Sequence, residues 1–363
     1  MNMVRVGIVV WNGKVYDVDL PSDLSNKLPY YTAGWRVGKS IGFIIANPEG
    51  GVLKEGVLKE VKAEKIDENY DLKRNICGVF SSEDSDSVIP VLYYYGGGSS
   101  RKAFLKEPVK INDKPYIIEI KGVGNKGKEI DIQQLRMITP SFYSPPIDDT
   151  GPIGGLPYKE AMDDVEVMKK MNENGIYPPL FISLYRLPLM YTNLRGENDS
   201  LAVEVRGTDS TMRASWINPN FNKYLFGCLN TSSEEYARVF SKKTLKAYHT
   251  LLDLGYLHIS PHEDNLLLTG GITDLGDTIN LKDAENSRVK SDLEYFVFSF
   301  FNVLQNSRLP EENSEKWNKV VVEILNDNIR EEFDFDPNLS EMTFYEFNKL
   351  IEKMYEKLSV FKY

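Results

Sequence analysis

Asp264 and Asn265 stand side by side in the segment Ser260-Pro261-His262-Glu263-Asp264-Asn265, and a further carboxylate, Asp274, follows nine positions after the Asn. Between them lie an apolar run, Leu266-Leu267-Leu268, and the turn residues Gly270-Gly271. Asp and Asn offer the hard oxygen ligands that Mg²⁺ prefers. A pair of such donors, a buried strand-like run, a turn and another Asp make the layout of a site for a metal and a phosphate chain. Group transfer from a nucleotide triphosphate needs mainly positioning and charge neutralisation, so few residue types suffice. His258 is read as an anchor for this loop rather than a base, and no arrangement requires His262. A Zn²⁺ site from His258, His262 and Glu263 would lack a fourth ligand.

Cations must meet the phosphates. Lys121 ends the strand-like Tyr116-Ile117-Ile118-Glu119-Ile120, about 20 residues after Tyr95-Gly96-Gly97-Gly98-Ser99-Ser100. The bare amides of Gly96, Gly97 and Gly98 suit a phosphate cradle, although a plain hairpin explains them as well. Lys121 suits a cation reaching the phosphates, with a solvated strand-end lysine as the alternative. Arg206 and Arg213 lie seven apart, and paired guanidinium forks clamp phosphate bidentately; surface ion pairs are the rival. Glu160, Asp164 and Glu166 are candidates to hold Lys121, one of them at most. Gly122-Val123-Gly124-Asn125-Lys126-Gly127 matches a dinucleotide fingerprint, but Pro140, Pro145, Pro146 and Pro152 follow and no βαβ alternation continues.

The elements that position these groups are legible in part. Val4, Val6, Ile8 and Val10 alternate, and Asn12-Gly13 predicts a hairpin turn into Val15-Tyr16-Asp17-Val18. Further strands are expected at 88–95, 102–106 and 116–121, with a turn at Asn112-Asp113. The duplicated Gly51–Glu55 and Gly56–Glu60 is too short for a solenoid repeat. A Pro- and Gly-rich loop spans 140–157. A helix is expected over about 158–174, with Met162, Val165, Met168 and Met171 inward and Gly175 at its C-terminal end. Thr231-Ser232-Ser233-Glu234 forms a capping box for a long helix running to Leu254-Gly255. Amphipathic helices fill the rest.

At 363 residues, with 42% hydrophobic and 12% aromatic residues, the chain can build two or three packed units. The division expected is a β-rich region over 1–90, a sheet-and-helix lobe over 91–208 and a helical lobe over 209–363. A net charge of −10 argues against a nucleic-acid partner. No run approaches 18 apolar residues, so no membrane span is expected. Cys77 and Cys228 fit no metal-ligand spacing, and a reduced, cytoplasmic setting is the default.

In order along the chain, these motifs resemble the selenoprotein O family, kinase-fold proteins that transfer AMP. Ile118-Glu119-Ile120-Lys121-Gly122-Val123-Gly124 is similar to that family's L-Q-L-K-G-A-G. The stretch Val203–Arg213 is similar to L-T-R-V-A-x-x-x-I-R, with the same gap between arginines. His258 to Asn265 matches H-x-x-x-N-T-D-N in spacing, and Gly271-Ile272-Thr273-Asp274 matches G-L-T-I-D. The resemblance covers about residues 91–283. It implies an α+β, protein-kinase-like two-lobed fold with a β-rich N-lobe, a helical C-lobe and an N-terminal β-rich extension. It also implies adenylylation of protein Ser, Thr or Tyr hydroxyls with ATP and Mg²⁺, or Mn²⁺ in its place. Lys121 would contact phosphates, and Asp264 would act as base or orient the acceptor. Asn265 and Asp274 would hold the metal, and Arg206 and Arg213 would bind the terminal phosphate of a flipped ATP. Asp164 aligns best as the helix partner of Lys121, with Glu160 and Glu166 as rivals. The rival functions are phosphoryl transfer, glutamylation through an acyl-adenylate, and a nucleotide-binding pseudokinase scaffold.

Overall fold

Two tight turns set the register of the β-rich half. Asn12 and Gly13, at φ 49° and 74°, join β1 (Met3–Trp11) to β2 (Lys14–Pro21), which leads into a single helical turn, α1 (Ser22–Ser25). Both central residues at positive φ match the right-handed twist of the strands they join. The computed structural model of this chain describes residues 2–25, 64–70, 91–93, 102–105, 108–122, 156–192 and 198–359. The sheet strands in order are β3 (Glu64–Glu68), β4 (Val91–Tyr93), β5 (Lys102–Leu105), β6 (Val109–Ile111) and β7 (Lys114–Lys121). After them come β8 (Leu156–Pro157), β9 (Leu180–Thr192) and β10 (Asn198–Thr208). The turn between β6 and β7 is the expected one, with Asn112 at φ 49° and Asp113 at φ 63°.

These strands form an antiparallel sheet in the order β3-β9-β10-β7-β5-β4, with β6 alongside β7 and β8 alongside β10. Helix α2 (Tyr158–Glu173) packs on it through Ala161, Asp164, Val165, Val167, Met168 and Met171. Met162 lies 40% exposed, contrary to the expected inward stripe. A helix repeats every 3.6 residues, so steps of three drift off the face and Ala161 takes the inward position. Gly175, at φ 76°, follows the C-cap Asn174 as expected.

The second half is helical: α3 (Pro219–Leu229), α4 (Ser233–Asp253), α5 (Asn286–Asn306), α6 (Ser314–Phe333) and α7 (Phe344–Ser359). The N-cap of α4 is Ser232, whose hydroxyl accepts from the Glu235 amide, so the cap sits one residue after the expected Thr231. Tyr236, Phe240 and Tyr248 on α4 stack in a chain with Phe300 and Phe296 on α5, and this ladder forms the centre of the core. A two-stranded ribbon, β11 (Tyr256–His258) with β12 (Thr278–Asn280), closes the loop region between α4 and α5. The fold is mixed α+β, and among the described residues no helix is long and apolar enough to cross a membrane.

The β1–β2 hairpin is not a free appendage. Beyond β10 the chain runs through a linker, Asp209 to Arg213, and β1 pairs with it. The Val10 amide donates to Asp209 O at 2.6 Å, and the Thr211 amide donates to Ile8 O at 3.1 Å. Trp11, 1% exposed, stacks on Tyr236 of α4 with centroids 5.5 Å apart. Val9 is as buried as Val6, Ile8 and Val10, because the linker and the helices cover both faces of the strand.

Asp292 on α5 is buried beneath this core and accepts from the Tyr248 hydroxyl at 2.6 Å. Burial pushes its carboxyl up to about 7, against the pull of the Tyr248 bond and Arg288. The folded protein therefore holds a proton that the unfolded chain, at 3.8, has lost, and this contribution fades as pH rises from about 4 to 7. Asp292→Asn is expected to flatten the fall of unfolding free energy over that window, a slope of at most ~1.4 kcal/mol per pH unit. Urea titrations at pH 5 and pH 8 measure it; an unchanged slope would assign the pH dependence elsewhere.

Candidate functional site

The register of two strands creates the site. Glu204 lies opposite Lys121 and Arg206 opposite Glu119 in the β10–β7 pairing, so four ionisable side chains share one face of the sheet. All four are buried, Lys121 and Glu119 at 1% and Glu204 and Arg206 at 0% exposure. Gly122 follows Lys121 at φ 92°, where a Cβ would fall 2.4 Å from Ala202 O. Only glycine lets the chain leave the strand that close to its neighbour.

Helix α2 supplies the counter-charge. Asp164, fully buried, pairs with Lys121 at 2.8 Å, whereas Glu160 stands 3.8 Å from the same ammonium. Glu166 is instead bound to Lys170 at 2.8 Å. Of the three helix candidates, Asp164 is the close partner. Its burial alone would raise the carboxyl, but Lys121 and then Arg206 outweigh that and hold it below the ordinary range.

Arg206 is committed to carboxylates. It meets Glu119 at 2.7 Å, Glu204 at 3.3 Å and Asp164 at 3.4 Å, and donates to the Thr273 hydroxyl at 2.9 Å. Burial opposes its charge, yet these carboxylates more than compensate and raise its pKa further. Glu204 goes the other way: burial, then the charge of Asp164, push its carboxyl up to about 8. A neutral Glu204 donates to Asp164, which accounts for the two otherwise unpartnered buried oxygens, Asp164 Oδ1 and Glu204 Oε2.

The loop carrying the oxygen donors is pinned from beneath. His258, buried, contacts Thr273 O through Nε2 at 2.8 Å, and the Thr273 amide donates to Asn265 O at 2.9 Å. His258 thus holds the loop, as its sequence position implied, and burial lowers its pKa below the ordinary histidine value. His262 accepts from the Asp264 amide at 3.3 Å and caps the turn Glu263–Asn265. Asn265 donates its amide nitrogen to Ser260 O at 2.9 Å, leaving its amide oxygen as the group that can ligate. Asp264, half-buried, keeps Oδ1 without a hydrogen-bond partner.

Asp274 adopts the left-handed conformation, φ 60° and ψ 50°, a cost for a non-glycine residue that concentrates at functional sites. Three cations surround its carboxylate: Lys121 at 3.3 Å, Arg206 at 3.7 Å and Arg213 at 4.0 Å. Two residues on, a Cβ at Gly276 would meet Glu160 Cγ at 3.0 Å and Glu160 O at 3.1 Å, so the turn can press against α2. Arg213 is anchored by its bridge to Leu267, and its Nη1 has no hydrogen-bond partner.

The structure thus brings Lys121, Asp164, Arg206, Arg213 and Asp274 together, with Asp264 and Asn265 on the loop tied to Thr273. Gly96, Gly97 and Gly98 lie outside the described residues, as do the 51–60 duplication, Cys77, the fingerprint beyond Gly122 and the Pro-rich loop before Leu156. Arg206 does not present an open phosphate fork; its Nη1 and Nη2 donate to Glu119, Glu204, Asp164 and Thr273, and its Nε is buried without a hydrogen-bond partner. Glu119, Glu204 and Thr273 are site residues that motif spacing missed, although charged residues inside the apolar strands Tyr116–Lys121 and Leu201–Arg206 were the available signal. Among the described residues no group of three or more His, Cys, Asp or Glu could hold a metal, so a cation would rest on Asp274, the Asn265 carboxamide and a ligand's own oxygens. No protein-family model matches the chain, and no curated protein matches its sequence.

The two arginines are expected to separate in a stability measurement. Arg206→Met strands buried carboxylates and should cost roughly 3–5 kcal/mol. Arg213→Met removes a buried but weakly paired cation, 4.0 Å from Asp274, and should cost less, about 1–2 kcal/mol. Urea unfolding midpoints decide, and equal losses would contradict the division of labour.

Proposed function

We propose that this chain is a Mg²⁺- and ATP-dependent adenylyltransferase on a kinase-like two-lobed scaffold, modifying a Ser, Thr or Tyr hydroxyl of a protein. The observation that carries the reading is the convergence of Lys121, Arg206 and Arg213 on Asp274, beside a loop whose Asp264 and Asn265 oxygens remain available. Such an arrangement suits a triphosphate: a fixed strand lysine, an arginine with unspent donors, and oxygen ligands for a divalent cation. A cation held by Asp274 and Asn265 would neutralise phosphate charge as the bond to the leaving group lengthens.

The pairing of the linker to β1 supports one direction for the nucleotide. Two backbone groups of the linker, Asp209 O and the Thr211 amide, are paired to β1 and are not open to the edge of an adenine. The linker instead offers Arg213, whose guanidinium favours an anion. A terminal phosphate set at Arg213 turns the α-phosphorus toward the acceptor. The acceptor oxygen then bonds to the α-phosphorus, Asp264 takes the hydroxyl proton, and pyrophosphate departs. Lys121 steadies the phosphate chain, with Asp164 holding the ammonium in place. The resemblance to the selenoprotein O family supports the same orientation.

Parallel incubations with ATP labelled at the α- or the γ-phosphorus test this reading. Wild-type protein is expected to transfer the α label and not the γ label onto protein. Asp274→Ala should lower transfer on the order of 100-fold or more. Transfer of the γ label would replace AMP transfer by phosphoryl transfer on the same residues. Transfer that depends on free glutamate would indicate acyl-adenylate chemistry, and no transfer of either label would end the enzymatic reading.

A further inference from the structure

The loop that carries Asp264 also borders a second concavity. Glu263, the residue before Asp264, lines a groove of about 550 Å³ with Glu294, Tyr295, Phe298, Ser299 and Asn302. The last five lie along one face of α5. The opposite face of that helix is spent on the core through Phe296, Phe300 and Phe301, each 1% exposed or less. Tyr295 is 56% exposed, and Phe344 and Tyr345 at the start of α7 are 66% exposed. Phe298 stacks on Phe344 with centroids 5.4 Å apart, which joins the groove to these outer aromatics. Aromatic side chains left together in water mark a surface built for contact rather than a core that failed to close.

Charge narrows the partner. Neither Glu263 nor Glu294 has a salt bridge among the described residues. The neighbouring lysines are already committed, Lys290 to Glu352 and Lys349 to Glu346 at 3.3 Å and to the face of Tyr345 at 4.2 Å. The groove therefore presents two carboxylates without a close ion pair, Glu294 having only the more distant charge of Lys290, around an apolar floor, in a chain whose net charge is −10. A lysine or arginine side chain beside an aromatic or aliphatic one matches both features, because the cation answers the carboxylates while the stem and its neighbour cover the rings.

We propose that this groove seats the acceptor polypeptide through a segment carrying a basic residue next to an apolar one. The inference deepens the transfer reading above and rests on it for its chemistry. Glu263 and Asp264 are consecutive, so a segment held at Glu263 presents a hydroxyl a few residues along its own chain to Asp264, at ~3.3–3.6 Å per extended residue. Acceptor choice then comes mainly from the α5 side of the groove, whose Glu294 and Tyr295 have no part in holding nucleotide or metal.

Binding without nucleotide tests the groove separately from catalysis. A fluorescein-labelled peptide with a central Ser flanked by Lys, Arg and Trp is titrated with the full chain and followed by anisotropy. Its counterpart carries Glu in place of Lys and Arg. The basic peptide is expected to bind at least tenfold tighter, and the preference should weaken as salt is raised. In a Glu294→Lys, Tyr295→Ala double variant, whose fold is checked by thermal melting, the preference should vanish or reverse. Equal binding of the two peptides, or a preference the double variant retains, would overturn the proposal. A dimer in sedimentation that the double variant dissolves would overturn it too, since a second copy would then cover the groove. Peptide preference without label transfer would leave the groove standing and sink the adenylylation reading, and label transfer without preference would do the reverse.

Discussion

A small set of charges held out of water at one junction organises this protein. Lys121, Arg206, Glu119, Asp164 and Glu204 are all buried to within about one per cent, and each would be costly alone. They persist because every cation has carboxylates within hydrogen-bonding range and because Glu204, its carboxyl raised to about 8, stays neutral at physiological pH. Lys121, Arg206 and Arg213 thus face Glu119, Asp164 and Asp274, with Glu160 at the edge of the cluster 3.8 Å from Lys121. The network spans β7, β10, helix α2 and the turn at Asp274, so its satisfaction fixes their mutual geometry. Replacing such a network by apolar residues is often neutral for stability, so stability alone does not account for it.

The same junction explains the division between the two arginines. Arg206 lies inside the sheet with both terminal nitrogens on carboxylates, while Arg213 lies where the linker meets the loop, 4.0 Å from Asp274 and with Nη1 unpartnered. The β1–β2 hairpin adds a constraint from outside. By pairing with Asp209 and Thr211 it takes linker backbone that would otherwise be open to a ligand, and by stacking Trp11 on Tyr236 it ties the linker to α4. On the proposed adenylyltransferase reading, a nucleotide entering here would meet an arginine at the linker, which favours an anion over a base. On the other side of Asp264, Glu263 borders the groove along α5 where Tyr295 is exposed, the surface proposed above for the acceptor.

Much of this was legible in the sequence because local chemistry dictates it. Asn12-Gly13 and Asn112-Asp113 specify hairpins through their tolerance of positive φ, and the periodicity of 158–174 specifies α2. The Asp264, Asn265 and Asp274 spacing pointed at a loop that His258 does pin, and Asp164 proved the close partner of Lys121. What the sequence concealed depends on register. That Glu204 faces Lys121 and Arg206 faces Glu119 is a fact about two strands about 80 residues apart in sequence. The period-2 rule places Glu119 with Lys121 and Glu204 with Arg206 on common faces, but only pairing brings the two faces into one cluster. Arg206 reads as a phosphate clamp from its spacing to Arg213, whereas its nearest neighbours in space are carboxylates. The hairpin's hold on the linker was hidden for the same reason, being a contact between chain segments some 200 residues apart.

The most direct test of the central claim is a crystal structure of the full chain with Mg²⁺ and a non-hydrolysable ATP analogue. The account predicts the metal on Asp274 and Asn265, Lys121 on the phosphate chain, the terminal phosphate at Arg213 and β1 still paired to the linker. A nucleotide whose adenine displaces β1 from Asp209 and Thr211, or a metal bound away from Asp274, would contradict it.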